Sequence, residues 1–125
     1  MADKLKVLII EDDPFMVDLM VRKFGQGGFA VLHAQNGEDG LAKAASERPD
    51  IISLDIMLPG IDGYEVLRRL KADEELAKIP VIVCSNIGND EDIQKAKDLG
   101  AIDYLVKISV EFDDLVARFR RACTR

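Results

Sequence analysis

The stretch "PDIISLDIMLPGIDGYE", residues 49–65, decides how the chain is read. An apolar run, "IISL", ends directly on Asp55, and the chain then leaves through "IMLPGIDG", which is rich in turn formers. A short β-branched run bounded by turn signals reads as a strand covered on both faces. A carboxylate at the tip of such a strand marks either the point where the core meets water or a functional group held out by the sheet. What the other strands deliver to the same edge decides between the two.

Four further runs alternate with segments of helical period: "LKVLII" (Leu5–Ile10), "FAVLHA" (Phe29–Ala34), "PVIVC" (Pro80–Cys84) and "AIDYLV" (Ala101–Val106), with Asp50–Leu54 as the third in chain order. The second and fifth are more mixed, which places them toward sheet edges. Asp13 before Pro14 reads as an N-cap with proline at the first helical position. Val17, Met20, Val21 and Phe24 are the buried stripe of that helix and Gly25 its end. "GQGG" follows a helix instead of opening one, so it is a C-cap and turn and not a phosphate loop. Asn36 caps a second helix, Gly37 to Glu47, with Leu41, Ala44 and Ala45 inward, and a third begins near Gly63, with Tyr64, Val66, Leu67 and Leu70 as its apolar positions. "NDEDIQKAKDLG" is a fourth helix stopped by Gly100, and "SVEFDDLVARFRRA" a fifth; both carry acids early and cations late, as the macrodipole favours. Five strand–helix alternations without a linker predict an α/β fold, a five-stranded parallel sheet in a three-layer sandwich, as one domain over residues 1–125.

The formal net charge of −6 is carried by dispersed acids, which argues against a nucleic-acid surface. The only apolar run near the N-terminus is short and broken by acids, so neither a signal peptide nor a membrane span is expected. Cys84 and Cys123 are far apart and lack CxxC spacing. No structural disulfide is expected, which fits a cytoplasmic location.

In a parallel sheet all carboxyl ends of the strands lie on one edge, where ligands bind. Glu11 and Asp12 follow "VLII", Asp55 follows "IISL", Ser85 follows "VIVC" and Lys107 follows "DYLV". Each has a bland reading alone: a cap, a turn residue, a solvated charge. Their coincidence at one edge favours a site. Three converging carboxylates repel one another unless a cation sits among them. Oxygen ligands without histidine or thiolate favour a hard ion, and Mg²⁺ fits, with Mn²⁺ as an alternative. A carboxylate beside such an ion can take up a phosphoryl group, with the metal, a lysine and a hydroxyl sharing the charge on its oxygens.

"VLIIEDD", "DIISLDIMLPGIDGYE", "PVIVCS" and "GAIDYLVK" occur in the order and spacing of the receiver domain of two-component response regulators, which the chain resembles over essentially its whole length. The resemblance implies a flavodoxin-like 2-1-3-4-5 sheet. That order is a known property of the family, carried over by resemblance and not read from the residues. The resemblance further implies Asp55 as phosphoacceptor and Asp12, Asp55 and the Met57 backbone carbonyl as metal ligands, with Glu11 acting mainly through water. Ser85 and Lys107 would bind the phosphoryl group, and Tyr104 would turn inward as Ser85 moves. The signal would leave through the fourth helix, fifth strand and fifth helix. Expected partners are a sensor histidine kinase or histidine phosphotransfer protein and a downstream protein target, with no direct nucleic acid and no membrane.

The family usually follows its lysine with a cis proline, where this chain has Ile108. A cis bond before a non-proline residue costs ~2.5–4 kcal/mol, so a trans bond and a different path for "KISVEFDDL" are expected. Asn86 stands where the family has a smaller residue, and Met57, Asn86 and Ile87 are expected to flank the approach of a hydrolytic water. Lone His33 reads as a strand-surface residue, not a phosphocarrier, which would sit on an exposed helix. Two other functions compete with the switch. A pseudo-receiver is disfavoured because all five key positions are filled. A small-substrate aspartyl-phosphate hydrolase is disfavoured because Met57 stands where that chemistry wants a second acid. No output domain is expected after the fifth helix, and the chain is not expected to be a conventional enzyme.

Overall fold

The computed structural model describes residues 4–109 and 111–123. Among these, strands β1 (Lys6–Ile10), β2 (Ala30–Ala34), β3 (Ile51–Leu54), β4 (Val81–Ser85) and β5 (Asp103–Val106) alternate with helices α1 (Pro14–Gln26), α2 (Gly37–Glu47), α3 (Gly63–Ala72), α4 (Asp90–Asp98) and α5 (Phe112–Cys123). All pairings are parallel, in the order β2-β1-β3-β4-β5. The expected sandwich and strand order hold, with β2 and β5 at the edges.

Side chains alternate across the strands and so build two cores. Val7, Ile9, Ile51, Ile82, Cys84 and Leu105 meet Met20 and Phe24 of α1 and Leu115, Val116 and Phe119 of α5. Leu8, Ile10, Ile52, Leu54, Val81 and Val83 meet Ala44 of α2, Val66, Leu67 and Leu70 of α3, and Ala96 of α4. Both faces of β3 and β4 are therefore covered, which is why their sequences read as continuous apolar runs. Cys84 and Cys123 are free thiols, and burial pushes the Cys84 thiol up to about 12. Among the described residues no helix is long and apolar enough to cross a membrane.

The structure corrects several local expectations. Gly25 does not end α1, which runs to Gln26. The Gly27 N–H donates to the Lys23 carbonyl at 3.0 Å, and Gly28, at φ 90°, supplies the left-handed residue that turns the chain. Val21 is 38% exposed, because the ring of Phe24, edge-on to Phe29 and Phe119, fills the space beneath α1. Ala45 is exposed and Ala44 alone of that pair enters the core. The fifth helix begins at Phe112, since Lys107–Ser109 form a 3-10 turn. No described peptide bond is cis, in line with the trans bond expected after Lys107.

Gly63 matters for the functional edge. Its N–H donates to the Ile56 carbonyl at 2.8 Å. A Cβ there would lie 2.3 Å from the Asp55 carbonyl oxygen and 2.6 Å from the Ile56 Cα, so the start of α3 sits directly on the peptide that carries Asp55. Backbone cannot yield as a flexible side chain can. Gly63→Ala should therefore cost about 1–3 kcal/mol in chemical denaturation. Gly25 has nothing within 4 Å of its would-be Cβ, and Gly25→Ala should instead stabilise by about 0.5–1 kcal/mol. Equal effects at the two positions would contradict this account.

Candidate functional site

Strands of nearly equal length in parallel register end together, so the residues that follow them meet. The Glu11 N–H donates to the Ala34 carbonyl and the Asp55 N–H to the Ile10 carbonyl, both at 3.1 Å, which extends pairing one residue beyond β1 and β3. Glu11, Asp12 and Asp55 each offer a carboxylate oxygen within 4.8 Å of the others. Glu11 and Asp55 are buried, at 2% and 6% exposure, while Asp12 is exposed. Asp13 stays apart as expected and caps α1 by accepting from the Phe15 N–H at 3.0 Å. An all-oxygen donor set that is partly open to solvent suits a hard divalent cation.

Lys107 closes the group. Its Nζ donates to Glu11 Oε1 and, at 3.3 Å, to Asp55 Oδ2. The non-proline path after Lys107 thus still brings the ammonium to the acids. The Met57 N–H donates to Asp55 Oδ1 at 3.2 Å, and the Met57 side chain is 63% exposed at the rim. Ser85 is fully buried, and its Oγ accepts from the Ile87 N–H at 3.2 Å.

The resemblance implies that Tyr104 turns inward as Ser85 moves. Its ring is inward in this structure, 8% exposed, and its hydroxyl donates to the Ile87 carbonyl at 2.6 Å. The space between β5 and the start of the α4 connection accepts the ring, so both backbone groups of Ile87 are engaged, one by Ser85 and one by Tyr104. Burial raises the Tyr104 phenol, and the Ser85 hydroxyl acts the other way. Of the three side chains expected to flank a hydrolytic water, Ile87 is partly buried and packs against the core, and Met57 and Asn86 are exposed.

Two contacts escaped sequence reasoning. His33 is on β2 as expected, yet its Nε2 lies 3.0 Å from the Glu11 carbonyl. Tyr64 donates to Asp92 Oδ1 at 2.5 Å while Lys95 Nζ lies 4.1 Å from its ring centroid, so α3 holds α4 by a hydrogen bond and a cation–π contact. A lone histidine and a tyrosine on an apolar stripe carried no local signal of either.

One ammonium shared by two buried carboxylates leaves charge uncompensated. Burial is the main cause that raises the Glu11 carboxyl, and with Asp55's charge it outweighs the Lys107 hydrogen bond, taking the group to about 7. Burial lowers the Lys107 ammonium, but Glu11 and Asp55 overcome that and hold it above its ordinary value. The folded Glu11 pKa lies above its ordinary 4.5, so its contribution to stability is complete below about pH 4.5 and is lost as pH rises through about 7. With divalent ions chelated, Glu11→Gln should gain on the native protein between pH 5 and pH 8, by roughly 5–15 °C in melting temperature. A difference that does not change with pH would refute the assignment.

The response regulator receiver domain family matches residues 7–120. The DNA-binding dual master transcriptional regulator RpaA of Synechocystis is 39% identical over 96% of this chain and 49% of its own length. The chain therefore spans about half of that relative. Protein PilH of Pseudomonas aeruginosa is 37% identical over 82% of this chain and 84% of its own length. The crystal structure of the BeF3-activated N-terminal receiver domain of Klebsiella pneumoniae RstA superposes with a TM-score of 0.89 at 29% identity, covering 96% of this chain and 99% of that one. With the fold and the acidic strand edge described above, these matches place the chain in the receiver domain family of two-component response regulators.

Proposed function

We propose that the protein is a phosphorylation-dependent switch that accepts a phosphoryl group on Asp55 from a histidine of a sensor kinase or phosphotransfer protein. The observation that carries this is the Asp55 carboxylate at the tip of β3, 3.3 Å from Lys107 Nζ and grouped with Glu11 and Asp12. The BeF3-activated state of the RstA receiver domain supports it, because BeF3 mimics a phosphoryl group on a carboxylate. An Asp55 carboxylate oxygen attacks phosphorus in line with the departing imidazole nitrogen. The P–N bond breaks as the P–O bond forms, and the freed imidazole takes a proton from solvent. Lys107 follows the arriving charge from Glu11 toward the phosphoryl oxygens, and Ser85 supplies a hydroxyl donor. Asp12, Asp55 and the Met57 carbonyl, with Glu11 through water, would hold Mg²⁺ or Mn²⁺, which would supply positive charge against the phosphoryl oxygens. The protein thus catalyses its own phosphorylation and dephosphorylation without being a conventional enzyme.

Ser85 and Lys107 head the connections to α4 and α5, so new bonds to phosphate shift those elements relative to the core. Tyr104, already inward, registers the shift through Ile87. The output surface is α4, β5 and α5, and its reader is a downstream protein. The shift is one of population, driven by contacts that differ between the two states.

Intact-mass measurement after incubation with a small phosphodonor tests the reading. The native protein should gain one phosphoryl group only with a divalent ion present. Asp55→Asn should gain none, and Asp12→Asn should need more metal. Amide shifts in the phosphorylated sample should change most across residues 86–122. Labelling of Asp55→Asn at the native rate would sink the assignment.

The phosphorylated form is expected to be long-lived. Met57 is exposed and apolar and cannot orient a water, and Asn86 is bulkier than alanine or glycine. A barrier raised by only ~1.4 kcal/mol slows hydrolysis about tenfold. Met57→Asn and Asn86→Ala should each speed phosphate loss several-fold, and the explanation fails if neither does.

A further inference from the structure

His33 stands on the edge strand β2, paired with Ile9, one position before Ala34. Its backbone carbonyl accepts from Lys43 Nζ at 2.7 Å, which ties this end of β2 to α2. Its Nε2 lies 3.0 Å from the Glu11 carbonyl oxygen. A carbonyl only accepts, so Nε2 carries the proton in this contact. The Glu11 N–H donates to the Ala34 carbonyl at 3.1 Å. Glu11 is therefore held by β2 on both of its backbone groups, just after regular pairing of β1 has ended.

That carbonyl belongs to the peptide unit joining Glu11 to Asp12, neighbours whose carboxylate oxygens both belong to the acid cluster. Rotation of this peptide plane moves the two side chains relative to each other and to Asp55. We propose that His33 is a positioning residue for the acid cluster, its Nε2–H fixing the Glu11–Asp12 peptide at the angle where both carboxylates face Asp55. This rests on the reading of the three acids as a divalent-metal site. A ligand set held in advance binds its ion without first losing backbone freedom, and outer hydrogen bonds of this kind tune metal affinity. His33 is thus neither a ligand nor a phosphocarrier, and its effect passes through one backbone carbonyl.

The test compares the native protein with His33→Leu, which keeps bulk but loses the donor, and His33→Gln, which returns an amide N–H at a similar reach. Mg²⁺ alone is titrated by calorimetry. Backbone ¹⁵N relaxation at Asp12 is measured on the metal-free proteins, and the imidazole ¹⁵N shifts of the native protein report the tautomer. Expected are an Nε2–H tautomer, a loss of Mg²⁺ affinity of about three- to tenfold in His33→Leu, a lower Asp12 order parameter in that variant, and recovery of both in His33→Gln. A proton on Nδ1 alone, a leucine variant with native affinity and native order at Asp12, or a glutamine variant no better than leucine would overturn the proposal. If the native protein binds no Mg²⁺, the metal reading fails, and the tautomer and the Asp12 order parameter still decide the role of His33.

Discussion

Lys107 leaves β5 and reaches Glu11 at the end of β1 and Asp55 at the end of β3, with β4 lying between β5 and β3 in the sheet. One ammonium is thereby held between two carboxylates, all three side chains at most 7% exposed. Removing one partner of such a group leaves a buried charge without compensation, which typically costs about 3–5 kcal/mol. The group joins the ends of three strands across the sheet. It is also out of balance, with one ammonium between two buried carboxyl groups and an exposed third acid beside them. That imbalance would favour a further cation at this edge.

The neighbourhood of the acids is built so that few of these charges can drift. Gly63 lets the start of α3 sit on the Asp55 peptide, the Met57 N–H holds one carboxylate oxygen of Asp55, and the Asp13 N–H holds Glu11 Oε2 at 3.2 Å. The opposite side of the site is more loosely held. Ala96 is the only buried residue of α4, and the helix is tied to α3 through Tyr64, Asp92 and Lys95. Ser85 and Tyr104 engage the two backbone groups of Ile87 on the way into that helix. The proposed switch would act across this boundary, between the hydrogen-bonded acids and a helix that buries little of its surface.

Much of the architecture is legible in the sequence because it rests on local patterning. Apolar runs buried on both faces, Asp13 and Asn36 as caps, and acids at strand ends are all signals carried within a few residues of themselves. The misreadings are also local and share a cause. Val21 and Ala45 fit a helical stripe in projection, but Phe24 and Ala44 fill the available contact with the sheet, and a period alone does not say how wide that contact is. Gly25 reads as a stop because glycine often is one, whereas the chain reverses at Gly28, where φ is positive.

The sequence by itself determined that the chain alternates strand and helix, which residues stand at the strand ends, and what chemistry an acid–hydroxyl–lysine set can hold. Strand order, the pairing of Lys107 with both Glu11 and Asp55, the inward ring of Tyr104, the Tyr64–Asp92 bond and the His33 contact to Glu11 were decided only by tertiary structure. Each of these depends on register or packing between segments distant in the chain. Such contacts arise from the collective fit of two cores on one sheet, and no single residue or spacing encodes them.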